Sequence, residues 1–135
     1  MTKLPDWAQR LDALVAQAQL RPFEWGVHDC CLWAADAVQA QTGLDPAADL
    51  RGTYSDAAGA ARVLRAHGGL RGVAVRGGAP IAPLFAATGD VGLVRDERRP
   101  LLAVCAGIHW LAVTAAGLRA LPFSAALMAW GVGRG

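Results

Sequence analysis

The stretch Phe23-Glu24-Trp25-Gly26-Val27-His28-Asp29-Cys30-Cys31-Leu32-Trp33-Ala34-Ala35-Asp36-Ala37-Val38 constrains this chain more than any other. It reads as a turn, a polar step and then a helix with a cysteine in its first turn. Gly26 permits a tight backbone path that a side chain would obstruct. Asp29 suits an N-cap, because its carboxylate can accept the orphan N–H groups of the first turn. Small or apolar residues recur at Cys30, Trp33, Ala34, Ala37 and Val38, the spacing of a buried helix stripe. Gly43 follows Thr42 where a left-handed C-cap would end the helix. Cys30 therefore stands at a helix N-terminus, where the macrodipole and free N–H groups favour a thiolate. A cysteine nucleophile requires that setting.

The flanks give the rest of the architecture. Pro5 opens an amphipathic segment in which Trp7, Leu11, Leu14, Val15 and Ala18 repeat at helical intervals, and Pro22 stops it near Leu20. Residues 44–54 read as a connecting loop. Ser55 or Asp56 caps a third helix running to His67, and Gly68-Gly69 terminates it. Beyond it the period changes. Gly and Pro clusters bracket short pieces, and strands are expected at 91–94, 101–106, 108–114 and 118–121, folded as an antiparallel meander. Residues 124–130 fit a short helix or an edge strand. Helices first and a small antiparallel sheet after predict a single α+β domain over 1–135.

Composition narrows the function classes. Hydrophobic residues make up 54% of the chain and charged ones 18%, a globular balance. The net charge is only +2 and the arginines are scattered, so nucleic-acid binding is not expected. No apolar run reaches the roughly 18 residues of a membrane span, and the N-terminus lacks the apolar core of a signal peptide. Membrane insertion is therefore not expected, and synthesis in the cytoplasm is. Three cysteines, Cys30, Cys31 and Cys105, are too few and too irregular for a disulfide framework. They and His28, His67 and His109 also fall into no metal-ligand spacing, so neither a metal nor a cofactor is predicted.

A cysteine peptidase or amidase needs a thiolate, a histidine within hydrogen-bond reach and a polar group to orient it. Cys30 is the candidate nucleophile. Cys31 points about 100° away around the helix and is expected in the core. His109 is the histidine of the sheet half, on a strand face shared with Leu111 and Val113, and is the first candidate base. His28 is the second, and is placed to order the turn or line a cleft. Trp25, Gly26 and Asp29 would shape the site. Thr114 and Ser124 are the nearby polar residues for a third member.

Residues 25–54, with Trp25-Gly26, His28-Asp29-Cys30-Cys31-Leu32, Thr42-Gly43, Asp45-Pro46 and Arg51-Gly52, resemble a family of small proteins encoded among the tail-tip genes of tailed phages and prophages. Asp29-Cys30 opening a helix, and Gly89-Asp90-Val91 opening the sheet, are more distantly similar to NlpC-type papain-fold peptidases. The resemblance implies a papain-like fold with N-terminal helices packed on the sheet. It implies a structural role in a tail tip or baseplate, among other tail proteins of the virion, with degenerate peptidase chemistry. The alternative it implies is an active peptidase cleaving peptidoglycan peptides during DNA delivery, with Cys30 as nucleophile and His109 as base. In NlpC-type enzymes the histidine opens the strand after Gly-Asp, which here falls near Leu101 or Leu102.

Overall fold

A computed structural model describes residues 1–97 and 99–134. Four helices precede and flank a six-stranded antiparallel sheet, so the α+β expectation holds. Helix α1 spans Trp7–Ala18, α2 Cys30–Thr42, α3 Ala57–Ala66 and α4 Gly69–Ala74. The strands are β1 Ala79–Ile81, β2 Val91–Asp96, β3 Arg99–Cys105, β4 His109–Thr114, β5 Gly117–Pro122 and β6 Ala126–Gly131. Among the described residues no helix is long and apolar enough to cross a membrane.

Helix α2 is the centre of the molecule. The Asp29 carboxylate caps it by accepting the Leu32 N–H at 2.9 Å, and Gly43 ends it at φ 82°, as the sequence predicts. The single apolar stripe read from the sequence understates its burial. Cys31, Leu32, Trp33, Ala34, Ala35, Ala37 and Val38 are all buried, because α1, β3 and β4 all pack against the helix. Alanine on this scale lets neighbouring elements approach closely, and fully burying Leu32 or Val38 contributes about 1.5–3 kcal/mol each.

Three elements depart from the sequence expectation. Helix α4 starts at Gly69, where the sequence predicts only a terminator, because Gly68 turns the chain at φ 86° into a new helix after α3. The 79–81 segment pairs as β1 with β6. The tail is the larger correction. Residues 126–131 form neither a helix nor an edge strand but lie between β1 and β2, giving the order β1-β6-β2-β3-β4-β5. The meander expectation covers β2 to β5 alone.

The sheet has two apolar faces. One carries Val91, Leu93, Leu102, Val104, Val113 and Trp130 against the helices. The other gathers Val94, Ala103, Cys105, Trp110, Ala112, Leu121 and Ala129 on the inside of a curl. Gly92 makes room for that curl: a Cβ there would lie 2.6 Å from the Trp110 ring. The Trp110 Nε1–H donates to the Phe123 carbonyl at 3.1 Å, and the two rings stack at 6.0 Å. Arg119 on β5 reaches Asp96 at the end of β2 at 2.9 Å, which closes the curl at its rim.

Candidate functional site

The turn before α2 is built around one carboxylate. Glu24 and His28 exchange backbone hydrogen bonds, the Glu24 N–H to the His28 carbonyl at 2.9 Å and the reverse at 2.8 Å. Gly26 sits at the tip with φ 80°, and its N–H donates to the second oxygen of Asp29 at 3.0 Å. The Tyr54 hydroxyl donates to that same oxygen at 2.7 Å. Asp29 is 1% exposed and thus ties together the helix start, the 24–28 turn and the loop after α2. A Cβ on Gly26 would lie 2.0 Å from the Tyr54 carbonyl oxygen, so the glycine serves close backbone approach as well as the turn. Phe23 and Trp25 meet edge to face at 4.9 Å beside it.

Cys30 occupies the first helical position, half-buried, as the sequence places it. Its surroundings do not favour the thiolate. Burial pushes the thiol up to about 11, and the neighbouring Asp29 charge adds to the rise, while the Leu102 backbone and Arg99 offset part of it. At a neutral pH such a thiol is almost wholly protonated, and the thiolate is the nucleophile. Cys31 is buried in the core, with its thiol raised further by burial, as a packing residue would be. Cys105 is buried on the opposite face of the sheet.

The histidines do not join Cys30. His109 opens β4, and its carbonyl accepts the Ala106 N–H at 2.8 Å. It thus stands across from Ala106, four residues beyond Leu102 along the line of β3, a separation of about 13 Å at strand rise. Leu102 is the β3 residue whose backbone lies at the Cys30 thiol. His109 shares its face with Leu111 and Val113, as predicted, yet lies at the far end of that face. Thr114 accepts the Ala116 N–H and donates to the Gly117 carbonyl at the β4–β5 turn, and Ser124 lies in the turn between β5 and β6; neither meets His109 in a hydrogen bond among the described residues. The base and the orienting group expected for a triad are not assembled.

His28 sits immediately before the cap, only 1% exposed, and both ring nitrogens lack a hydrogen-bond partner among the described residues. Its backbone closes the 24–28 turn through the two hydrogen bonds with Glu24. Burial lowers its pKa, and the Arg21 charge lowers it further against the smaller opposing effect of Asp29. The folded chain therefore disfavours the charged ring. Below the ordinary value of about 6.5 the unfolded chain takes up a proton that the folded chain refuses, so stability falls as pH drops through that range. Chemical denaturation between about pH 5.5 and pH 7.5 is expected to show this loss in the wild type and a shallower slope in His28→Gln. Equal slopes would mean that His28 titrates as a solvated residue.

Tyr54 is the site residue that sequence reasoning did not assign. Its partnership with Asp29 spans 25 positions, and no local spacing announces it. Among the described residues no cluster of His, Cys, Asp and Glu could hold a metal ion.

A family profile described as Domain of unknown function (DUF6950) matches residues 2–132. No curated protein and no solved structure matches the chain.

Proposed function

We propose, for a chain that belongs to the DUF6950 family over nearly its whole length, that it is a structural component of a tailed-bacteriophage tail tip or baseplate. Its scaffold would be a papain-like, NlpC-type domain whose peptidase chemistry has lapsed. The observation that supports the chemical half of this reading is that the β3–β4 register sets His109 across from Ala106, about 13 Å along β3 from Leu102, whose backbone neighbours the Cys30 thiol. A thiol without a base is a poor nucleophile for an amide. Function belongs to the site and not to the scaffold, so the fold can persist without it.

The assembly half rests on the resemblance carried by residues 25–54. Trp33, Trp110 and Trp130 are core residues, each no more than 2% exposed, whereas Trp7 and Trp25 are only partly buried. Lys3 lies over the Trp7 ring at 3.6 Å. Partly exposed tryptophans are frequent anchors where one protein docks on another. The neighbours would be other tail-tip proteins in the virion.

The competing reading keeps Cys30 as an active nucleophile toward peptidoglycan peptides with His109 as base, and the partial exposure of Cys30 at the start of α2 favours it. Complementation separates the two. In a phage deleted for this gene, Cys30→Ala is expected to restore infectivity and tail assembly as fully as the wild type. Failure of a folded Cys30→Ala chain to do so would install the peptidase reading. Iodoacetamide labelling resolved by mass spectrometry gives an independent check. Cys30 should react more slowly than a free thiol and gain rate only toward pH 11. A rate plateau below about pH 7 would show an activated thiolate.

A further inference from the structure

The α3–α4 hairpin carries a charge that the rest of the fold does not neutralise. From residue 57 to residue 89 the chain has four arginines and no carboxylate, against nine basic and eleven acidic residues elsewhere. Arg62, Arg65 and Arg71 are exposed and form no ion pair among the described residues. Several arginines elsewhere are matched: Arg10 with Asp6, Arg51 with Asp36 and Asp45, Arg119 with Asp96, and Arg134 with Asp90. The acids nearest the hairpin are already engaged. Asp56 caps α3 by accepting the Gly59 N–H at 2.7 Å, and Asp49 accepts Arg76 at 2.7 Å.

Geometry gathers these arginines on outward faces. Gly59, Ala60, Val63 and Leu64 turn α3 inward, which leaves Ala58, Ala61, Arg62, Arg65 and Ala66 outward. Arg62 and Arg65 are one turn apart, so their guanidinium groups repel each other in the free protein. Arg71 and Val75 are likewise one turn apart beyond the Gly68 bend, and Val75 is 52% exposed.

We infer that this hairpin is a docking surface for an acidic face of another protein. The inference goes beyond the proposed tail-tip role and is independent of whether Cys30 is catalytic. Arginines set among alanines and an exposed valine suit a protein interface, where arginine is enriched and aliphatic contacts fill the centre. A partner carboxylate would relieve the Arg62–Arg65 repulsion and engage two donors of a guanidinium at once. No Phe, Tyr or Trp stands between residues 57 and 75 to stack a base, so a nucleic acid is the poorer fit.

Fluorescence anisotropy with a labelled peptide of alternating glutamate and leucine, at about 50 mM salt, tests this. Changing Arg62, Arg65 and Arg71 together to Gln should weaken binding by about tenfold or more. Changing Arg21, Arg95 and Arg99 to Gln, which removes equal charge elsewhere, should alter it by less than about twofold. Circular dichroism of both triple variants guards against loss of the fold. Equal losses in the two variants would reduce the effect to net charge and overturn the proposal. So would absence of peptide binding, or equally tight binding of a short DNA duplex through the same three arginines.

Discussion

Asp29→Ala is expected to cost the fold about 3–5 kcal/mol, because it strands two buried backbone donors and one partly buried hydroxyl at once. The Leu32 N–H, the Gly26 N–H and the Tyr54 hydroxyl all lose their acceptor. In a domain of this size the loss corresponds to a fall in Tm of roughly 10–15 °C. Asp29→Asn keeps one acceptor oxygen and should recover about half of it. Tyr54→Phe removes a single hydrogen bond and should cost about 1 kcal/mol. The Asp29–Tyr54 double-mutant cycle then isolates their coupling. An Asp29→Ala chain that melts within about 3 °C of the wild type would show that the turn is held by its packing and not by the carboxylate.

Asp90→Ala is expected to be comparably severe, at about 3–5 kcal/mol, for a buried charge that organises the opposite end of the sheet. Asp90 is 1% exposed, and its two oxygens accept the Ala87 N–H at 2.9 Å, the Val132 N–H at 2.9 Å and the Arg134 guanidinium. Its own carbonyl accepts the Cys105 N–H at 2.8 Å. One residue thus ties the start of β2 to the end of β3 and to the chain after β6. Arg134→Ala should cost far less, about 1 kcal/mol, since that side chain is 45% exposed and water replaces part of its interaction. If urea titration gave the two variants equal losses, the backbone N–H groups would not depend on Asp90 and the proposed ranking would fail.

The two aspartates show how unevenly the sequence discloses the site. Asp29 is readable as a cap because capping is a local matter, a carboxylate just ahead of a helical stripe and a glycine at its end. Its second bond partner is not readable, because Tyr54 arrives through a loop whose path is set by the packing of residues 47 and 50 in the core. Gly89-Asp90 is legible as a step into the sheet, yet its role as a clasp depends on β6 returning to pair with β2. The alternation in 124–130 gives no hint of that return. Helix α4 escapes sequence reasoning because Gly68-Gly69 ends one helix and begins another, and a glycine pair signals a left-handed turn without specifying the element beyond it.

The candidate dyad divides along the same line. Periodicity and capping residues suffice to place Cys30 in the first turn of a helix, Cys31 in the core and His109 on the strand face that looks toward the helices. They act over one or two turns of chain, and the hydrophobic periods of 3.6 and 2 are legible without any long-range contact. Whether Cys30 and His109 meet depends on the register of β3 against β4, which sets Ala106 beside His109 and carries Leu102 to the thiol. Whether the thiol ionises depends on burial by elements far away in sequence. Local physics determined the parts and their faces; strand register and burial, which exist only in the folded chain, decided that Leu102 and not His109 would lie beside the Cys30 thiol.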